Sequence, residues 1–226
     1  MGANAHTLLT EYQHRLTNKN ILEIGSSNIR QQGASTGFYS EFVQSNPDWR
    51  FVTIDVNEGL YESNNLVVHQ ENLKNISIHK TDYKKVVKDL DVKFGFIYLD
   101  NFDYKPPGCE WHDWCVGLGN TYLEEYGVEY SNENSAQAHL EQAMFLKDYV
   151  ADKCVILFDD TFLIENCKIH EGGFERGKEY GLTYPESGWY GKGATAVPWL
   201  MKNGWYVAET YTINGRDDWT LLCNFL

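Results

Sequence analysis

The chain has 226 residues, a formal net charge of −13 and a pI near 4.9. Hydrophobic residues make up 42% and aromatics 15%, enough to fill the core of a single domain spanning 1–226. The acidity argues against a nucleic-acid backbone, which calls for a basic stripe, and against an anionic membrane surface; a neutral or cationic substrate, or an anion neutralised by a metal, fits better.

No segment approaches the ~18 consecutive apolar residues of a membrane span. The opening stretch MGANAHTLLTEYQHRL lacks the apolar centre of a signal peptide, and His6 breaks the myristoylation pattern begun by Gly2. The five cysteines, Cys109, Cys115, Cys154, Cys167 and Cys223, are irregularly spaced with no CxxC pair. Reduced thiols, a cytoplasmic setting and no zinc site are the expectation.

In chain order, His6 to Leu16 reads as helix and Asn20 to Gly25 as a first strand. The polar loop SSNIRQQGASTG follows, then a helix Phe38 to Gln44 capped by Ser35 or Thr36. Arg50 to Asp55 is a second strand. Asn57 to Asn75 shows no periodicity and reads as loop. Ile76 to His79 is a short third strand, Tyr83 to Leu90 a helix and Phe94 to Asp100 a fourth strand. A long insertion, about 102–132, carries Trp111, His112 and Trp114. Ser135 to Val150 is a helix with His139, Ala143, Leu146 and Val150 on one face. Cys154 to Asp159 is the fifth strand, followed by a second long polar region at about 162–189. Gly193 to Asn203 is a helix stopped by Gly204. Trp205 to Thr212 and Trp219 to Phe225 form a hairpin across Asn214-Gly215-Arg216-Asp217. Such alternation predicts a doubly wound, Rossmann-like α/β sheet of seven strands, mostly parallel, with one antiparallel strand from the terminal hairpin.

Two apolar runs end in acid: KFGFIYLDNFD at Lys93 to Asp103 and CVILFDD at Cys154 to Asp160. An acid after one buried strand is an ordinary polar stop or cap. Three carboxylates, Asp100, Asp159 and Asp160, brought to one sheet edge by two strands suit a hard divalent cation. For both Asp159 and Asp160 to reach one ion, the chain must already be turning there. Earlier strands add a second set. Gly25 follows strand one and lets the backbone approach a ligand closely. Asp55 at the end of strand two can accept both hydroxyls of a ribose, and Asp82 after strand three an adenine amino group. The ordered set points to an adenosine-containing ligand.

On Glu23-Ile24-Gly25, Asp55, Asp82, Asp100 and the terminal hairpin, the chain resembles the class I S-adenosylmethionine-dependent methyltransferases. It departs from them where Ser26-Ser27-Asn28 replaces the usual further glycines. The absence of GxGxxG also disfavours a nicotinamide enzyme. The resemblance implies cofactor contacts from Glu23, Gly25, Ser26, Asp55, Asp82 and Asp100. The acids after strands four and five are similar to those of the metal-dependent, macrolide-sugar and catechol-type O-methyltransferases. That implies Mg²⁺, or another divalent cation, on Asp100, Asp159 and Asp160, activating a sugar hydroxyl on a small molecule or glycan. Asp103 stands where the sugar-methylating relatives carry a His base; its alternative role is a turn cap. His139 and His112 are further candidate bases, His139 also fitting a core position. Trp111, Trp114, Trp189 and Tyr190 are candidates for stacking on the acceptor, or for packing the loops. Rival readings are an aromatic diol as acceptor, a non-catalytic nucleotide-binding protein, and a hydrolase built on the clustered carboxylates. Homo-oligomerisation is left open.

Overall fold

In the computed structural model the described residues are 5–105, 112–163, 186–212 and 218–226. The strands are β1 Asn20–Ile24, β2 Arg50–Asp55, β3 Ile76–Lys80, β4 Phe94–Leu99, β5 Val150–Asp159, β6 Thr161–Leu163, β7 Trp189–Gly191, β8 Tyr206–Tyr211 and β9 Trp219–Cys223. Seven of them form one sheet in the order β3-β2-β1-β4-β5-β9-β8, with β6 and β7 paired separately. Neighbours from β3 to β5 are parallel, and β9 runs antiparallel to both β5 and β8. This is the mostly parallel sheet with one reversed strand that the sequence predicts. Strand order reverses between β1 and β4, which opens a crevice at their carboxyl ends.

The sheet is buried on both faces because its central strands are apolar throughout; all of β4, FGFIYL, is buried. Alternation sorts these side chains. Ile97 and Leu99 join Leu22, Ile54 and Phe158 on one face. There they meet Val86 and Val87 of α4 (Tyr83–Leu90), Ala143 and Leu146 of α6 (Asn132–Leu146), and Val197 and Leu200 of α7 (Ala196–Lys202). Phe96 and Tyr98 point the other way, onto Leu8 and Leu9 of α1 (Leu8–Tyr12) and Tyr39 and Val43 of α2 (Ser35–Ser45).

Several boundaries differ from the sequence reading. Asn57 to Asn75 is not loop: α3 spans Glu58–Gln70, and the Asn57 side chain caps it by accepting from Leu60 N at 2.9 Å. Only Asn64 and Val67 of α3 are buried, so it carries no apolar stripe to be read. The insertion after β4 holds a fourteen-residue helix, α5 (Asp113–Tyr126), which ends at Gly127 in the left-handed region, φ 67°. The first helix is shorter than expected, a 3-10 turn at Ala5–Thr7 followed by α1. Ser35 and Thr36 lie inside α2, which starts after Ala34. Helix α6 starts after Ser131, whose side chain accepts from Asn134 N, and stops at Leu146; Val150 opens β5 opposite Phe94. The second polar region contains β6 and β7. The hairpin turn at 214–217 lies outside the described residues.

Cys154 and Cys223 are free and buried, whereas Cys115 on α5 is disulfide-bonded. The cysteines therefore do not support a reducing compartment. Among the described residues, no helix is long and apolar enough to cross a membrane.

Candidate active site

The loop after β1 is latched down by a buried carboxylate. Glu23 is fully buried, and its Oε2 accepts from Thr36 Oγ1 and Thr53 Oγ1, both at 2.6 Å. Thr36 Oγ1 in turn accepts from Ser27 N at 2.7 Å, and Thr53 Oγ1 pairs with the Ser26 hydroxyl at 2.6 Å. Burial pushes the Glu23 carboxyl up to about 7, against the lowering effect of these hydroxyls and of Ser35. Glu23 Oε1 has no hydrogen-bond partner. Glu23 and Ser26 thus build the loop that the sequence assigned to cofactor contact.

Gly25 is required here by close packing rather than by a ligand. It has φ +98°, and a Cβ would overlap the backbone of Asp100 and Asn101. Asp55 at the end of β2 accepts from Ser26 N and Asn57 N, both at 2.7 Å. Asp82 caps α4 by accepting from Lys84 N at 3.0 Å. Each carboxylate keeps lone pairs for a ligand. Gly25, Asp55 and Asp82, named from sequence as an adenosine set, line one cavity of about 350 Å³ together with Ile24, Ile54, Tyr83 and Asn101. A larger cavity, about 670 Å³ between the 3-10 turn, the 29–33 loop, α2 and the end of α3, touches none of these acids.

Asp100 connects this crevice to the acid cluster. It lines a second cavity, about 260 Å³, with Asp159, Tyr98, Trp219, Ser27, Ser35, Gln31 and His6. Asp100, Asp159 and Asp160 each present one oxygen within 4.8 Å of the others, so the two strand ends converge as the sequence predicts. The turn that lets both Asp159 and Asp160 contribute is explicit: Asp160 has φ 43°.

The cluster also contains a residue that the sequence did not single out. Lys192 Nζ donates to Asp100 Oδ1 at 2.5 Å, and lies 3.1 Å from Asp160 Oδ2 and 3.8 Å from Asp159 Oδ2. Burial alone would lower the Lys192 pKa, but Asp100, Asp160 and Asp159 outweigh it and hold it well above the usual lysine value. Burial likewise favours the neutral acid at Asp100. The Lys192 charge and hydrogen bonds from Asp159, Lys192 and Tyr98 override it, and Asp100 stays below the ordinary carboxylate range. Asp159 goes the other way, driven up by burial and by the charges of Asp100 and Asp160. The donor set has the right chemistry for a magnesium ion. Yet the Lys192 ammonium already lies among these carboxylates, hydrogen-bonded to Asp100 and within ion-pair range of Asp159 and Asp160, and its charge opposes a further cation there.

Two of the candidate bases, Asp103 and His139, lie within electrostatic reach of this centre. Asp103 is exposed; its N–H donates to Tyr122 Oη at 2.8 Å, and the Tyr122 hydroxyl donates back to Asp103 Oδ2 at 3.4 Å. Burial of its surroundings raises the Asp103 pKa, aided by Asp100 and Asp160 and opposed by Lys192. His139 is fully buried, pairs through Nδ1 with Ser135 O at 2.7 Å, and is pushed down to about 4 by burial. Its Nε2 has no hydrogen-bond partner. His112 precedes α5 and is exposed. Of the candidate stacking rings, Trp189 packs in the core and Tyr190 is buried against Tyr104 and Phe162. Trp114 is exposed on α5, and Trp111 lies outside the described residues. The rings that do line the acid cavity are those of Trp219, Tyr98 and His6.

No protein-family model and no curated protein sequence matches the chain. Solved structures do. An O-methyltransferase from Bacillus cereus in complex with S-adenosylhomocysteine is 12% identical and superposes with a TM-score of 0.53 over 97% of this chain and 78% of its own. An S-adenosylmethionine-dependent methyltransferase from Aquifex aeolicus is 13% identical, with a TM-score of 0.50 over 98% of this chain and 89% of its own. A protein from Staphylococcus aureus, provisionally assigned as a caffeoyl-CoA O-methyltransferase, is 14% identical, with a TM-score of 0.54 over 99% of this chain and 83% of its own. At such identities the likeness is one of fold. The chain has the Rossmann-like fold of the class I S-adenosylmethionine-dependent methyltransferases.

Proposed function

We propose that the protein is an S-adenosylmethionine-dependent O-methyltransferase whose acceptor is a hydroxyl of a sugar or glycan. The observation that carries this reading is the contact of Gly25, which lines one cavity, with the backbone of Asp100, which lines another. The first cavity is lined by Gly25, Asp55 and Asp82 and suits an adenosine; the second is lined by Asp100, Asp159 and Trp219 and suits the reacting end. Asp55 would accept from the ribose and Asp82 from the adenine amino group, while Glu23 would act through the loop that it holds with Thr36 and Thr53. When bound, the cofactor supplies a methyl group on a positively charged sulfur. The protein's task is then to orient the acceptor oxygen and take its proton. Asp103 is the proposed base, with His139 as the alternative. The second cavity is rich in hydrogen-bonding side chains, among them Ser27, Ser35, Gln31 and His6. That lining favours a polyol over an aromatic diol.

Magnesium assistance through Asp100, Asp159 and Asp160 is the second reading. The convergence of three carboxylates favours it, and the presence of Lys192 among them opposes it. Calorimetry with S-adenosylhomocysteine tests the donor, and transfer of labelled methyl to a panel of sugars and diols, with and without Mg²⁺, tests the acceptor. Failure to bind S-adenosylhomocysteine removes the methyltransferase reading. Labelling only of diols replaces the sugar with the aromatic acceptor.

A further inference from the structure

We infer that Lys192 is the resident cation of the Asp100, Asp159 and Asp160 cluster, and that methyl transfer by this chain runs without a divalent metal. The second clause rests on the function proposed above; the first stands on geometry alone.

Lys192 is not a surface lysine that has drifted into a vacant site. Its side chain is 1% exposed, while those of Asp100, Asp159 and Asp160 keep 27%, 24% and 37%. The ammonium therefore lies on the protein side of the carboxylates, and the carboxylates face outward. The backbone that carries it is fixed to the same strand end. Lys192 N donates to Asp160 O at 3.1 Å, and Gly193 N donates to Thr161 Oγ1 at 2.8 Å. Residue 191 pairs with Thr161 in the β6–β7 ladder. Gly191 has φ +86°, and a side chain there would overlap the Asp160 carbonyl. These contacts fix the backbone at the root of the side chain, and swinging the ammonium out would break its hydrogen bond to Asp100 and leave three clustered acids without a counter-charge.

A dication bound to the same oxygens would meet a fixed positive charge within a few ångströms. The ammonium can do part of what such an ion does, by favouring the ionised form of Asp100, which lines the cavity. In the reaction, the acceptor oxygen forms a bond to the methyl carbon, the carbon–sulfur bond breaks with its electron pair staying on sulfur, and the hydroxyl proton passes to a carboxylate. Lys192 acts in this through the acids it touches, so it is a positioning residue.

The test is Mn²⁺ binding to the full chain, followed by electron paramagnetic resonance, in wild type, Lys192→Met and Lys192→Arg. Mn²⁺ alone is the probe, so the readout does not depend on turnover. Wild type and Lys192→Arg are expected to leave Mn²⁺ free at millimolar concentration. Lys192→Met, with the acids uncovered, is expected to bind it on the order of tenfold more tightly or better. Any methyl transfer by wild type should survive EDTA unchanged. Micromolar Mn²⁺ binding by wild type overturns the inference, as does a folded Lys192→Met that gains no affinity. If Lys192→Met does not fold, the wild-type and Lys192→Arg measurements decide. S-adenosylhomocysteine calorimetry on the same samples separates a failure of the cofactor reading from a failure of the lysine reading.

Discussion

Gly25 abuts the carbonyl of Asp100, so a side chain at position 25 would occupy the space of that carbonyl. The contact ties the end of β1, where the cofactor loop starts, to the end of β4, where the acid cluster starts. Gly25→Ala would also have to hold φ +98°, a conformation costly for any residue with a Cβ. It is expected to lower stability by about 1–3 kcal/mol and to weaken S-adenosylhomocysteine binding. Thermal unfolding and calorimetry check both. An unchanged melting temperature would show that the two strand ends can part.

Asp55 has two duties, tying down Ser26 N and Asn57 N and offering lone pairs to a ribose. Asp55→Ala is therefore expected to weaken S-adenosylhomocysteine binding by ~1–3 kcal/mol. Loss of the two backbone contacts should also lower stability by ~1 kcal/mol. Calorimetry and denaturant unfolding separate the effects. A variant that is destabilised but binds normally would assign Asp55 to the loop alone.

Glu23 makes stability depend on pH. Its ordinary value is 4.5, and burial raises it to about 7 in the folded chain. Below the lower value both states are protonated. Between the two, the unfolded chain releases the proton while the folded chain keeps it, so folding weakens as pH rises. The loss builds to about 3 kcal/mol by neutral pH, as an order of magnitude. Glu23→Gln should flatten that part of the curve. Denaturant unfolding from pH 4 to 8 on both proteins measures it, and parallel curves would mean that Glu23 is ionised when folded.

Asp103 and His139 make different predictions as the base. Asp103→Asn should slow turnover on the order of 10²-fold while sparing cofactor affinity. The wild-type rate should fall on acidification through a value above the ordinary aspartate range, because the Asp103 pKa is raised. His139 is neutral at pH 7 and pairs with Ser135 O inside the core. His139→Phe should cost stability and leave the pH–rate profile in place. If instead Asp103→Asn turns over normally and a folded His139→Phe does not, His139 is the base.

The parts of the fold that were legible in the sequence are those whose signal is local. β1, β2, β4 and β5 are short apolar runs, and the acids that end them reach one edge because the strands are parallel. Helix α3 escaped notice because burial of only Asn64 and Val67 leaves no periodic stripe. Trp189 looked like a loop ring and is a core residue, which only the β6–β7 ladder reveals. Lys192 was illegible for a different reason. Its partner Asp100 is 92 positions away, and a lysine between two glycines carries no pattern of its own.

The Gly191–Asp160 contact has a consequence for reading related sequences. Position 191 tolerates no side chain while its neighbour points into the acids. Lysine at position 192 should therefore mark the relatives that use an ammonium in this cluster, while glycine at 191, held by its own packing on the Asp160 backbone, should persist with or without it. That one position offers a way to sort homologues into ammonium-using and metal-using groups before any of them is purified.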